Sequence, residues 1–330
     1  MEIIVLFTDT HFGVKNNSMT WLHSQMDFIY NQLIPFIREK RESMGDGDTI
    51  RIIHLGDVFD SRSSVSTMVA TKVVQCFGEL SKLVDSFYII AGNHDYYSPT
   101  SNEVNTLDLM FRNLNITLVT EKILQDRNDL LIPWYEYGNP EIQKIIDEEG
   151  IKRIFVHADI VNEKIPYKGV EIYSGHVHIP NLDWDKGLYN LGSCYALNFA
   201  DSNNHRGFYT LTDGKNLKFY PNMQSINYWR LYDEDIFDVY VNNSIKSGDY
   251  IEVYVSESNM SVQKYVERLN DLTKYYKNIW IIPKSEQIIT GNCKFEGYDI
   301  EKITAHMIPK ELKAKFDLVL NSLKSESIIK

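Results

Sequence analysis

Ile52-Ile53-His54-Leu55-Gly56-Asp57-Val58-Phe59-Asp60 decides how the rest of the chain is read. An apolar run of strand character meets a glycine and then an aspartate. Gly56 lets the backbone turn sharply where a strand ends, leaving the Asp57 carboxylate at the rim of a sheet, where it can bridge two cations. Other strand-like runs repeat the design with metal-ligand residue types. Ile3 to Phe7 leads into Asp9-Thr10-His11, and Phe87 to Ile90 leads into Gly92-Asn93-His94-Asp95. Ile154-Phe155-Val156 delivers His157, and Ile172-Tyr173-Ser174-Gly175 delivers His176 and His178. The chain reads as a sheet built to converge these side chains.

Each motif has its own chemistry. In extended backbone, residues two apart point the same way, so Asp9 and His11 are expected to reach one ion, and His176 and His178 to face together. Gly13 allows the turn that follows. Alone, a D-x-H pattern is weak and most chance occurrences are ordinary surface residues. Asn93 offers a neutral amide oxygen to a metal, and His94 offers a proton donor with an intrinsic pKa near neutrality. Asp95 is placed to orient the His94 ring through a hydrogen bond. Asp60 reads equally well as a loop-fixing acid and as an active-site residue. For His157 the bland alternative is a satisfied core histidine. His23, His54, His205 and His306 have no ligand-type neighbours and are assigned no chemistry.

The chain has 330 residues, which suits one large domain plus a smaller one. Apolar residues at 43% and charged residues at 24% are those of a soluble globular protein. No apolar run approaches the roughly 20 residues that span a bilayer, and the first residues form a strand rather than a basic leader, so a cytoplasmic protein with no membrane partner is expected. Cys76, Cys194 and Cys293 are scattered and unpaired in pattern, which argues against a disulfide framework and a zinc finger. The net charge of −11 disfavours a chain that binds nucleic acid alone, because phosphate contacts come from Lys and Arg. Residues 1–225 carry 20 Lys+Arg against 29 Asp+Glu, a net of −9, and residues 226–330 carry 14 against 16, a net of −2. Two bound divalent ions would offset part of that acidity, and a partner could add basic surface.

Helical periodicity covers 19–42 through Trp21, Met26, Ile29, Leu33, Phe36 and Ile37, and 64–84 through Met68, Val69, Val73, Phe77 and Leu80. Surplus apolar residues in the second helix, Val65 and Val74, fit core packing better than a subunit contact. Strands are expected at 115–119, 129–133 and 151–156, with an acidic helix at 139–149. Beyond 225, a strand over 249–256, a helix over 262–275 with Val266, Leu269 and Leu272 inward, and a strand over 278–283 read as a small β-α-β module. Pro309 opens a last helix whose Leu312, Phe316, Val319, Leu320 and Leu323 form one stripe, to be packed on its own domain or docked on a partner.

The ordered set Asp9-x-His11, Gly56-Asp57-x-x-Asp60, Gly92-Asn93-His94-Asp95, His157 and Gly175-His176-x-His178 resembles the calcineurin-like metallophosphoesterase superfamily. Five motifs in order over about 170 residues make the resemblance specific. Within the superfamily the chain is similar to the SbcD-type nuclease subunits of DNA double-strand-break repair, a group that includes the recombination endonuclease small subunits of T-even-like bacteriophages. Gly56 to Arg62, Leu131-Ile132-Pro133-Trp134, Asn190-Leu191-Gly192-Ser193 and Arg206-Gly207-Phe208-Tyr209 carry that narrower likeness.

The resemblance implies an α/β fold in which a two-sheet β-sandwich core is flanked by helices and joined to a small α+β capping domain. It divides the chain into a nuclease domain over 1–225, a capping and DNA-binding domain over 226–300, and a C-terminal helical segment over 301–330 that grips an ATPase. One metal would take Asp9, His11, Asp57 and His178, and the other Asp57, Asn93, His157 and His176. Asp57 would be shared, and His94 would be the catalytic acid with Asp95 and Asp60 beside it. Manganese is the expected pair of divalent ions, although the donor set also suits Mg2+, Fe2+ or Zn2+. The expected function is a DNA exo- or endonuclease in recombination and end processing. It would act as a homodimer, with a coiled-coil SbcC-type ABC ATPase and DNA as partners. A general phosphodiesterase or phosphatase is the alternative, and a non-catalytic scaffold of this fold is the second.

Overall fold

The alternation in Ile3-Ile4-Val5-Leu6-Phe7 serves two cores at once. Ile4 and Leu6 turn inward with Ile53, Leu131, Phe155 and Tyr173 to fill the space between two sheets. Ile3, Val5 and Phe7 turn outward with Ile50 and Ile52 onto helices that carry Leu33, Ile37, Val73 and Phe77. A strand buried on both faces in this way reads as continuously apolar. The computed structural model describes residues 1–284, with nothing said of the Tyr240 and Asn242 side chains. Residues 285–330 lie outside the description, and with them the helix expected from Pro309 and the end of the expected capping domain.

In chain order the strands are β1 (Glu2–Phe7), β2 (Thr49–His54), β3 (Ser86–Ile90), β4 (Tyr96–Ser98), β5 (Ser101–Asn105), β6 (Thr117–Val119), β7 (Leu124–Asp126), β8 (Asp129–Ile132), β9 (Arg153–His157), β10 (Glu171–Gly175), β11 (Asn181–Asp183), β12 (Leu188–Asn190), β13 (Gly207–Thr212), β14 (Asn216–Pro221), β15 (Tyr228–Tyr232), β16 (Tyr250–Ser256) and β17 (Asn278–Lys284). One sheet has the order β14-β13-β1-β2-β3-β6 and the other β11-β12-β10-β9-β8-β7. Strands β1, β2, β3 and β6 run parallel, as do β8, β9, β10 and β12. Their C-terminal ends therefore gather on a common rim. The two-sheet α/β sandwich flanked by helices is the fold expected above.

The first long helix differs from its sequence reading. It runs as Met19–Phe28 and Ile34–Ser43, with a single wide π turn at Ile29–Leu33 between them. Pro35 lies in the first turn of the second segment and has no N–H to give, which favours a widened hydrogen-bond pattern just upstream. The second helix is Thr67–Leu80, started by Ser66, whose side chain accepts from the Val69 N–H. Met68, expected on its apolar face, is 49% exposed.

At the N-terminal rim the strands are tied by buried charge. Asp129 accepts from Arg51 Nη1 at 3.0 Å and from Arg153 Nε at 2.6 Å, and Glu2 stands 3.4 Å from Arg51. β15, β16 and β17 form a separate parallel sheet under the helix Gln263–Tyr275. Leu231, Ile251, Val253, Val255, Leu269 and Leu272 are its core, while Val266, expected inward, is 37% exposed. Residues Met1–Lys284 form one compact unit. Stacked rings join this module to the sandwich: Trp21 to Tyr228 at 6.1 Å, Tyr228 to Tyr250 at 5.0 Å and Tyr250 to Trp280 at 6.1 Å. Among the described residues no helix is long and apolar enough to cross a membrane.

Candidate metal centre

The loops after β1 and β2 continue the ladder of their strands. The Asp9 N–H donates to the Gly56 carbonyl at 3.0 Å, the His11 N–H to the Asp57 carbonyl at 3.1 Å, and the Phe12 N–H to the Val58 carbonyl at 2.8 Å. This pairing goes with unusual backbone at Asp9, His11 and Asp57, and His176, whose N–H donates to Asp9 Oδ2, shares it: all four have φ between 40° and 83°. Each such non-glycine residue costs on the order of 1–2 kcal/mol, and persists because its surroundings over-determine it. The expectation that Asp9 and His11 meet through extended backbone is therefore corrected. They do share a site, but left-handed turns bring them there. His176 and His178 do not face together, and the turn at His176 sends them to different groups.

Two groups result. Asp9, His11 and His178 bring one ligand atom each to within 4.8 Å of one another, and so do Asp57, His157 and His176. Asp57 Oδ2 lies between them, 3.7 Å from His11 Nε2 and 3.3 Å from His157 Nε2. Asn93 Oδ1 completes the second group at 3.1 Å from His157 Nε2 and 2.9 Å from His176 Nδ1. Gly56, at φ +100°, is required here: a Cβ would meet His157 Nδ1 at 2.6 Å and the Gly92 Cα at 2.9 Å. Gly92 is equally constrained, because its Cβ would fall on the Asp57 carboxylate.

The surrounding groups aim the ligands. His157 Nδ1 lies 2.7 Å from the Leu55 carbonyl, so this nitrogen carries the proton and Nε2 faces the site. The Asp60 carboxylate stands 3.5 Å from His11 Nδ1, and the Asp60 carbonyl accepts from His94 Nδ1 at 2.6 Å. Asp60 is thus a positioning residue for both rings. Asp95, expected to orient His94, does something else. Its buried carboxylate accepts from the backbone N–H groups of Asp57, Val58 and Gly92 at 2.9–3.0 Å and of Phe59 at 3.4 Å, clamping the Asp57 loop. Burial and the nearby Asp57 charge push Asp95 up to about 7, against the pull of those donors.

His54 was assigned no chemistry, yet it braces both ligand loops. The Gly56 N–H donates to its Nδ1 at 3.2 Å, so Nε2 donates to Thr10 Oγ1 at 3.0 Å. Burial lowers this ring to about 3 and keeps it neutral. Asp201, 3.7 Å from His178 Nδ1, is a second carboxylate the motifs did not mark. It belongs to no strand end and lies in the short turn Phe199–Asp201, which no motif marks.

The profile of the calcineurin-like phosphoesterase family matches residues 3–189, which takes in every ligand position above. The chain belongs to that family. A comparison with curated proteins finds no match. Membership makes this phosphoesterase a metal-dependent phosphoester hydrolase with a two-ion centre.

The residues fit such a centre. Asp9 Oδ1 and both ring nitrogens of His11 are buried without a hydrogen-bond partner, which is costly unless a cation satisfies them. In the phosphoesterase, burial opposes ionisation of Asp9 and Asp57. For Asp9 the His11 ring, 3.8 Å away, and the His157 and His178 charges outweigh it, and for Asp57 His157 and His11 do, so both stay well below the usual carboxylate range. Burial likewise opposes a charge on His157, but Asp57 and Asp9 raise it to about 9. Protons and metal ions therefore compete for the same nitrogens.

Proposed function

We propose that this phosphoesterase is a DNA nuclease subunit, an exo- or endonuclease acting with manganese. It would work as a homodimer with a coiled-coil SbcC-type ABC ATPase in DNA recombination and end processing. The observation that supports a polymeric substrate is the position of the site. A cavity of about 260 Å3 is lined by members of both ligand groups together with His94, Lys15, Leu197 and Asn198. Phe199, the next residue, packs on Tyr228 and Trp280 of the β15–β17 module at 4.8 and 6.0 Å. The phosphate site thus opens beside a second surface, which a strand uses and a small ester does not need.

Two divalent ions would supply Lewis acidity toward the phosphate and a water of lowered pKa. Asp9, His11, Asp57 and His178 would hold one, and Asp57, Asn93, His157 and His176 the other. The protein's own contribution is proton placement. His94 lines the cavity with Nδ1 anchored on the Asp60 carbonyl, which leaves Nε2 to protonate the departing oxygen. The His94 N–H donates to Asp57 Oδ1 at 2.8 Å, so the acid and the shared carboxylate are fixed to each other.

A general phosphodiesterase or phosphatase is the second reading. It is favoured by the net charge of −11 and by Lys15 being, among the described residues, the sole lysine or arginine lining the cavity. A scaffold role would predict eroded ligands, and every ligand type is intact. The test is manganese-dependent cleavage of a linear duplex, a circular single strand and a small phosphodiester by the purified chain, with His94→Ala as control. DNA cleavage that needs metal and His94 supports the nuclease. Hydrolysis of the small ester alone, in the presence and absence of a candidate ATPase, overturns it.

A further inference from the structure

A strap, residues 194–206, passes between the metal cluster and the β15–β17 module, and it carries a buried ion pair that the hydrolysis above does not use. Asp201 is 4% and Arg206 3% exposed. Arg206 Nη1 donates to the His178 carbonyl and, at 3.2 Å, to Ser193 Oγ. Its Nη2 donates to the Asp201 carbonyl at 2.9 Å and stands 3.5 Å from Asp201 Oδ1. Asp201 Oδ2 accepts from the Leu197 N–H at 2.8 Å, and Oδ1 faces His178 Nδ1 at 3.7 Å. One residue, His178, is therefore gripped at its carbonyl by Arg206 and faced at its ring by Asp201.

His178 needs this more than His11 and His157 do. Its side chain is 25% exposed, against 3% for His11 and 0% for His157, so packing alone does not fix its ring. His157 is anchored on the Leu55 carbonyl of its neighbouring strand end, and His11 stands against Asp60 of the β2 loop. His178 alone of the three takes its counter-group from the strap. An imidazole ligand whose second nitrogen meets a carboxylate is fixed in tautomer and direction, and loss of such a partner typically costs about 10–100-fold in metal affinity.

We propose that the Asp201–Arg206 pair is the positioning device for His178, and through it governs the ion held by Asp9, His11 and His178 while leaving the Asn93–His157–His176 side independent. The inference concerns the ion, so it stands whether the substrate is DNA or another phosphodiester. The test is calorimetric titration of Mn2+ alone into the full chain after chelator treatment, for wild type, Asp201→Asn and Asp201→Glu, with circular dichroism to confirm folding. Two ions should bind wild type. In Asp201→Asn one of the two should weaken about 10–100-fold and the other hold, with recovery in Asp201→Glu. Equal weakening of both ions, or unchanged binding of both in a folded Asp201→Asn, would overturn the proposal.

Discussion

The two rims of the sandwich both bury charge, and they resolve it in opposite ways. At the N-terminal rim Asp129, fully buried, lies between Arg51 and Arg153 at 3.0 and 2.6 Å. At the C-terminal rim Asp9 and Asp57 are as deeply buried, but their neighbours are His11, His157 and His178, and among the described residues no arginine or lysine forms an ion pair with them. The first cluster matches its carboxylate with two guanidinium groups and acts as a staple between β2, β8 and β9. The second is left short of positive charge, which only protons or added cations can supply. Buried charge that a chain neutralises is architecture, and buried charge that it leaves open is a site.

The contrast breaks most sharply at Asp57. Asp57→Asn should lose both ions in titration and reduce phosphodiester hydrolysis to background, because one carboxylate serves both groups; retention of either ion would contradict the shared role. Next comes His94→Ala, which should keep both ions and lower the rate about 10²–10⁴-fold, as loss of a positioned acid does. At the other rim, Asp129→Ala removes the carboxylate shared by the buried Arg51 and the partly buried Arg153, leaving Arg51 with Glu2 and Asp126 at 3.4 and 3.5 Å, and should cost about 3–5 kcal/mol of stability in a denaturant melt. Its metal affinity should not move, and a parallel loss of metal would erase the distinction between the rims.

The mildest effect is in pH. Asp9 and Asp57 sit below their ordinary 3.8, so their contribution to stability is present above that value and fades as pH falls further. His157 rises from 6.5 to about 9, so its contribution is complete below 6.5 and is lost as pH rises through about 9. With chelator the melting temperature should therefore decline between those two upper values. With Mn2+ the decline should vanish, since the ion replaces the proton. Parallel curves with and without Mn2+ would show that the open rim is not exchanging protons for cations.

The ligand residues were legible because each ends an apolar run, and glycines at 56, 92 and 175 punctuate three of the runs. Their geometry was not. Periodicity distinguishes extended from helical backbone, whereas the left-handed turns at Asp9, His11 and Asp57 go with pairing between loops distant in sequence, and the one at His176 goes with its N–H donating to Asp9 Oδ2. Asp95 was placed beside the right residues with the wrong partner, since a carboxylate that accepts backbone N–H groups leaves no trace in side-chain spacing. Asp201 and Arg206 lie in a polar stretch without period, and three-residue strands such as β11 and β12 are too short to show one. The sandwich itself was legible from β1, β2, β9 and β10, whose apolar runs admit burial on both faces.

The ring ladder between sandwich and module has an optical consequence. Trp21, Tyr228, Tyr250 and Trp280 stack with interplanar angles of 13–20°, and Trp280 at the outer end is 48% exposed. Tyrosine emission overlaps tryptophan absorption, so excitation entering at Tyr228 or Tyr250 drains into an indole at either end. The seam is thereby wired as its own fluorophore: a module that swings away from Phe199 would restore tyrosine emission and shift the Trp280 band, and Trp280→Phe would identify that share of the signal without any attached dye.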